Sequence, residues 1–431
     1  MRVVKRRVTA LWQWLSLGAA VGALAGVASA TFLLALERAT QFRVTHESLV
    51  YFLPVGGIAL GFVYERWGKS IKAGNNLVLD TLHADSPDTP QIPLRMAPMV
   101  FLGTVLTHLF GGSAGREGTA VQMGASLADW LSHALKVSKE TRRQLLAAGI
   151  AGGFGSVFGT PIAGTLFGLE VVSVGRIEYD ALAPALVASL VGDYVTRHLG
   201  VVHTPYPTVH ALALTPMVVA QLCVVGAGMA GATTAFVELT HGLKKLFETR
   251  FPSLPMRMAA GGAIVFLMWK AIGTSDYLGL GVPMILRAFS DPTLPVYAFA
   301  AKLVFTSVTL ACGFVGGEVT PLFFVGATLG SVLARLVGLP IDLGAGVGIA
   351  AVFGAAANTP LALSIMAVEL LGVGSLPHVV IVCVVAYLLS GHRSIYPAQR
   401  ILRRKYGGHG LEAAVPLRDF RESMIPPSTR E

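Results

Sequence analysis

The feature that most constrains this chain is the near-unbroken succession of apolar stretches along its 431 residues. They fall near 10–37, 50–65, 92–110, 117–135, 144–158, 160–173, 181–199, 212–240, 256–273, 296–312, 319–338, 344–357, 360–372 and 377–391. Several are too short for a hydrocarbon core of ~30 Å, which takes ~20 helical residues to cross. Gly111-Gly112, Thr160-Pro161, Gly316-Gly317, Pro321 and Thr359-Pro360 interrupt the pattern. Lipid offers the backbone no hydrogen-bond partners, so broken helices persist there only where their ends are buried in protein or line a cavity. The expected fold is therefore an all-α polytopic membrane protein with many short, tilted or broken helices. Its functional groups are expected at the breaks.

Composition agrees. Charged residues make up 13% of the chain and hydrophobic ones 53%, where a soluble domain carries about 25% charge. The 49 glycines suit helices that pack closely or expose backbone to a ligand. Cys223, Cys312 and Cys383 are far apart in apolar stretches, which predicts small core residues and no disulfide or metal site. The net charge of +9 does not signal nucleic acid, because the basic residues cluster beside apolar segments: Arg2 to Arg7, Lys136 to Arg143, Lys244 to Arg250 and Arg400 to Lys405. That is the positive-inside pattern, and it places both termini in the cytoplasm of a multi-pass, cell-membrane protein. The basic start and Ala28-Ser29-Ala30 imitate a secretory signal, but the apolar run from Thr9 to Leu36 is long enough to span, so a retained first helix is expected.

An internal repeat organises the segments. GIAGGFGSVFGTPIAGTLFGLEV at 149–171 lies without gaps over GIAAVFGAAANTPLALSIMAVEL at 348–370, sharing among others Gly149/Gly348, Phe154/Phe353, Thr160/Thr359, Pro161/Pro360 and Glu170/Glu369. Upstream, Gly112, Gly115, Glu117 and Thr119 match Gly313, Gly316, Glu318 and Thr320. The chain divides accordingly into a cytoplasmic segment 1–9, repeat halves 10–200 and 201–400, and a short cytoplasmic tail 401–431 with no regulatory domain. Identities alone leave open whether the halves are parallel or inverted.

Each half thus carries a G-x-x-G-x-E-x-T turn that opens an apolar helix. Such a turn presents free backbone N–H groups and the positive end of a helix dipole, which together suit an anion. Glu117 and Glu318 are the notable intruders, since a charge near the bilayer centre costs at least ~2.5 kcal/mol and is functional by default. Their bland alternative is helix capping. A carboxylate that fits an anion site can fill it when ionised and leave it when protonated, coupling proton to anion.

Gly115-Arg116-Glu117-Gly118-Thr119-Ala120-Val121-Gln122 resembles the GREGP-x-VQ signature of the CLC family of chloride channels and proton-coupled anion antiporters. The likeness runs from about residue 12 to 405, through GTPIAGTLFGLE, YLGLGVPMI at 277–285, the second-half turn, and Gly391 to Tyr396. It implies an inverted repeat, a homodimer with one pathway per subunit, and transport without a cofactor. Glu117 is the implied gating and proton-transfer glutamate, with anion contacts from Gly115, Arg116, Gly118 and Thr119 in one turn and Val319 and Thr320 in the other. Where chloride-type members have GSGIP this chain has Gly74-Asn75-Asn76-Leu77-Val78, and where they have G-x-F-x-P it has Gly317-Glu318-Val319-Thr320-Pro321. Both departures are similar to the fluoride/proton antiporter branch, which implies fluoride export driven by proton entry, across a bacterial inner membrane.

Asn75 and Thr320 supply strong donors for a small, tightly hydrated anion, although Asn75 also suits a helix cap. Tyr396 either offers its O–H or ring edge to the anion or is an interfacial tyrosine beside the Arg400–Lys405 cluster. The cytoplasmic proton-relay glutamate of many relatives is Val171 here, so Glu318 is the candidate inner relay. Glu170 and Glu369 are read as partners for neighbouring backbone or for groups at the cytoplasmic mouth. Three rival readings remain: chloride/proton exchange, a passive anion channel and, remotely, an intramembrane serine hydrolase built on His108 and Gly111-Gly112-Ser113-Ala114-Gly115. No nucleotide-binding loop is evident, so no nucleotide partner is expected.

Overall fold

The apolar stretches fold as helices, and glycines and prolines end most of them. The structure is a computed structural model that describes residues 2–84, 91–406 and 414–423. The first half comprises α1 (Arg2–Thr45), α2 (Leu53–Trp67), α3 (Asn75–His83), α4 (Met96–Leu109), α5 (Glu117–Ala134), α6 (Lys139–Phe158), α7 (Pro161–Glu170) and α8 (Leu182–His198). The second half repeats the series as α9 (Pro216–Arg250), α10 (Leu254–Ile272), α11 (Val282–Arg287), α12 (Ala298–Ala311), α13 (Val319–Val337), α14 (Ile341–Ala356), α15 (Pro360–Leu371) and α16 (Leu376–Leu389). Among the described residues, four helical stretches are long and apolar enough to cross a membrane: Leu11–Thr45, Glu47–Trp67, Pro216–Arg250 and Val319–Val337. The shorter apolar helices, such as α4, α12 and α15, are the broken elements that the hydropathy pattern predicts.

Three pairs of repeat-equivalent segments meet, and each pair runs antiparallel. On α2 and α10, a Cβ at Gly57 would lie 2.9 Å from the Met258 carbonyl, one at Gly61 2.5 Å from Pro255 Cα, and one at Gly262 3.0 Å from Pro54 Cα. On α7 and α15, the Glu170 carboxylate accepts from the Leu361 and Ala362 amides (3.2 and 2.7 Å), while Glu369 accepts from Ile162 and Ala163 (3.0 and 2.7 Å). Each carboxylate therefore caps the start of the other half's helix, as the reading of these two residues expected. In the turns, Gly115 and Gly317 exchange both backbone hydrogen bonds, 2.6 and 2.8 Å. A two-fold axis that reverses bilayer-crossing helices lies in the membrane plane, so the repeat is inverted.

Glycine lets the helices within each half approach at backbone distance. A Cβ at Gly124 would fall 2.2 Å from the Gly149 oxygen, and one at Gly348 2.0 Å from the Gly326 oxygen. This close packing joins α5 to α6 and α13 to α14. Aromatic rings then knit the halves together: Phe154 stacks on Phe167 at 4.2 Å between centroids and on Phe353 at 6.3 Å, and Phe158 on Phe323 at 5.2 Å.

Among the described residues beyond Gln399, several pack against the helical halves. Strands β1 (Ser173–Val174), β2 (Arg400–Ile401) and β3 (Val415–Pro416) form a small sheet in that order, followed by α17 (Leu417–Ser423). Val174, Ile401, Leu417 and Phe420 pack as its apolar core. Arg418 pairs with Asp80 of α3, and Arg421 with Glu238 of α9.

Candidate anion and proton site

The two signature turns are built alike. Gly111 (φ +88°) and Gly313 (φ +107°) turn the chain out of α4 and α12 in the left-handed region that glycine favours. α12 supports the first turn through a buried polar stripe. The Ser113 amide donates to Thr309 Oγ1 at 3.1 Å, and the Ser113 hydroxyl pairs with Thr306 Oγ1 at 2.9 Å. One helical turn earlier, the Lys302 ammonium donates to the Tyr277 and Gly279 carbonyls (3.1 and 2.6 Å), and the Gly279 amide donates to the Gly112 carbonyl at 3.1 Å.

Glu117 is the first residue of α5, yet of α5 only the N-cap amide bonds its carboxylate. Its carboxylate reaches the start of α13, where Oε2 accepts from the Thr320 amide at 3.1 Å and Oε1 from the Thr320 hydroxyl. The Arg116 amide donates to Oε2 at 3.2 Å, and Arg116 Nε lies 3.5 Å from Oε1. The side chain is fully buried. The Glu117 carboxylate thus sits at the positive end of the α13 dipole, on the amide of that helix's second residue, a position that suits an anion.

Glu318, the repeat equivalent of Glu117, makes no cap hydrogen bond, and its Oε2 has no partner. It lines a cavity of about 260 Å³ together with Asn75, Gln122, His241, Lys244 and Tyr396. Asn75 opens α3 without capping it, and its Oδ1 is also unpartnered. Its Nδ2 lies 3.1 Å from where a Cβ at Gly118 would be, with the Glu318 carboxylate on the same side at 3.7 Å. Only glycine leaves that face of the turn open to the cavity. Tyr396 is 4% exposed, which sets aside the interfacial reading. Lys72, Lys244 and Arg257 line the same cavity beside Glu248 and Glu318, three basic groups to two acidic ones.

Not every expected donor faces the site. The Thr119 hydroxyl bonds Thr104 Oγ1 at 2.7 Å, into α4, whereas that of its equivalent Thr320 reaches Glu117. Gly115 spends its backbone on Gly317. Val319 is buried and brings no polar side chain. Val171, where relatives place a relay glutamate, packs with Phe167 and Tyr396 around a void of only about 10 Å³. The hydrolase geometry is not formed: His108 directs its ring nitrogens at the Thr104 and Ala114 carbonyls (2.8 and 3.0 Å), and Ser113 bonds threonine. Sequence reading missed Asn76, whose Oδ1 accepts from the Ala398 amide at 3.0 Å. It also missed Lys302, whose signal was a lone lysine inside the apolar stretch 296–312.

A family model described as a voltage gated chloride channel matches residues 56–391. The chain belongs to the CLC family. Among CLC relatives, a chloride/fluoride channel protein of Pseudomonas syringae pv. tomato is 48% identical over 419 residues, covering 95% of this chain and 91% of that one. A solved CLC-type fluoride/proton antiporter superposes with a TM-score of 0.87 at 38% identity, over 91% of this chain and 98% of its own. A slow cyanobacterial chloride/proton antiporter, at 17% identity and a TM-score of 0.76 over 88% and 94%, shares the fold. The protein is accordingly a multi-pass membrane protein that moves anions, as a CLC-type anion/proton antiporter or channel, and not an enzyme.

Proposed function

We propose that this CLC protein is a secondary active fluoride/proton antiporter that exports cytoplasmic fluoride, with Glu117 as gate and Glu318 as inner proton relay. The observation that carries this reading is the Glu117 carboxylate seated on the Thr320 amide and hydroxyl, with the unpartnered Glu318 Oε2 and Asn75 Oδ1 of the adjoining cavity beside it. Protonation removes the charge that holds Glu117 on the start of α13, and a fluoride can then take its place. Because the repeat is inverted, equivalent residues fall on opposite sides of the membrane midplane. Glu318 is thus the inner counterpart of an outer Glu117, and it takes over the duty that Val171 cannot perform.

Fluoride holds its water more tightly than larger halides, so a site that strips it must return short, strong hydrogen bonds. Asn75, Thr320 and Tyr396 can donate them, with the Arg116, Gly118 and Val319 backbone around them. The excess of basic side chains in the cavity draws anions to its mouth. The names of the 48% identical chloride/fluoride channel protein and of the superposed fluoride/proton antiporter support the choice of anion. The protein works as a homodimer in a bacterial inner membrane, with both termini and the cavity mouth on the cytoplasmic side.

Proteoliposomes read with fluoride and chloride electrodes and an internal pH dye test this directly. Outward fluoride flow should acidify the interior, and chloride should leave far more slowly. Chloride efflux at a comparable rate would overturn the choice of anion, and fluoride efflux without proton movement would make the protein a channel.

A further inference from the structure

The segment 394–399, which carries Tyr396, is irregular backbone held at the cavity by side chains rather than by a helix of its own. The Ile395 amide donates to the Ala356 carbonyl at 2.9 Å, and one side-chain amide supplies three further ties to the rest of the chain. Gln399 is 0% exposed, and all of its side-chain hydrogen-bonding groups are engaged. Its Nε2 donates to the Val171 carbonyl at 2.8 Å and to the Ala357 carbonyl at 2.7 Å. Its Oε1 accepts from the Ser394 hydroxyl at 2.6 Å and from Asn358 Nδ2 at 3.1 Å. Two carbonyls on one side and two donors on the other fix which end of the amide is which. Ser394 Oγ in turn accepts from the Tyr396 amide at 2.9 Å, so a single atom separates Gln399 from the tyrosine's own backbone.

These partners come from both halves. Val171 follows α7 of the first, whereas Ala357 and Asn358 form the turn between α14 and α15 of the second. The outer side of the segment is backed by the chain's end: the Leu417 amide donates to the Gln399 carbonyl at 2.7 Å, and the Arg418 amide to that of Pro397 at 3.1 Å. On the inner side Asn76, next to the cavity-lining Asn75, holds the Ala398 amide. Every hydrogen-bonding group of the Gln399 amide is satisfied, with Asn358 Oδ1 left without a partner at the network's edge; a buried network of this kind defines one geometry and loses it sharply when a central member is removed.

We infer that Gln399 is a positioning residue of the anion pathway, setting where Tyr396 stands by clamping its segment to the ends of α7 and α14. This rests on the reading of Tyr396 as an anion contact. Gln399 touches neither anion nor proton; it acts only through the tyrosine.

The test is a double-mutant cycle on full-length protein in liposomes, with fluoride efflux and the fluoride-to-chloride ratio as readouts. Gln399→Met keeps the length and removes every hydrogen bond of the amide. It should lower fluoride efflux about tenfold, the scale seen when a group that only orients another is removed, and it should lower the fluoride-to-chloride ratio with it. In a Tyr396→Phe background the same substitution should change little. Equal losses in both backgrounds would overturn the proposal, since a general structural role is blind to the tyrosine. If Gln399→Met does not yield folded protein, Ser394→Ala, which deletes one link, is run through the same cycle with the same two outcomes. Failure of the wild type to move fluoride would refute the proposed function. A wild type that moves fluoride but is indifferent to Tyr396→Phe would refute this inference alone.

Discussion

At the residue scale, two carboxylates that look interchangeable in the sequence have opposite fates. Glu117 is paired to the far helix through Thr320, while Glu318 is left with an unpartnered oxygen over a cavity. A buried carboxylate with an unpartnered oxygen is costly to keep charged, and the proposed proton-relay role gives that cost a use. Glu318→Gln should leave fluoride binding in place and abolish fluoride-driven proton uptake in liposomes. Unchanged coupling would remove Glu318 from the mechanism. Glu117 and Glu318 were legible in the sequence because a carboxylate inside an apolar stretch violates a local rule. Gln399 was not, because a glutamine beside a basic cluster breaks none. The same limit applies to Asn75 and Asn76, which both line the cavity but of which Asn76 also braces Ala398.

At the element scale, glycine accounts for how short helices hold together in a solvent that offers them no hydrophobic drive to associate. A methyl group at Gly348 would meet the Gly326 carbonyl at 2.0 Å, whereas one at Gly231 of α9 would meet nothing within 4 Å. Gly348→Ala should lower the melting temperature of the detergent-solubilised protein, since overpacking costs ~1–3 kcal/mol. Gly231→Ala should be neutral or slightly stabilising, by ~0.5–1 kcal/mol, as alanine restricts the unfolded chain. Equal effects of the two would show that backbone approach is not what these glycines provide. The existence of the helices was readable from hydropathy and from Gly/Pro punctuation. The small sheet and α17 were not: two-residue strands and a seven-residue helix carry too little pattern to stand out, and their packing against Val174 and Asp80 supplies their stability.

At the scale of the whole molecule, inversion turns a sequence repeat into a transport device. Two helix starts of opposite direction converge, and the residues that repeat do not repeat their contacts: Thr119 turns to Thr104 while Thr320 turns to Glu117. A fluoride leaving and a proton entering both move charge in the direction an inside-negative potential favours, each drawing ~2.3 kcal/mol per 100 mV. Clamping liposomes more negative inside with a potassium gradient and valinomycin should therefore speed fluoride efflux and proton influx together. Flux indifferent to the clamp would contradict this coupling.

The sequence by itself determined that the chain lives in lipid, that it is two copies of one plan, and where its backbone breaks around two carboxylates. Those properties are local, because hydropathy, glycine and proline act on the few residues around them. Only the tertiary structure decided that the copies are inverted, that Glu117 reaches Thr320 of the other half, that Thr119 turns away, and that Tyr396 is buried at the cavity and held by Gln399. Each of those depends on groups brought together from distant parts of the chain, through pairings such as Gly115 with Gly317 and Glu170 with the start of α15. Residue identities record that two segments are alike; the direction in which they face one another is fixed only when their backbones pair.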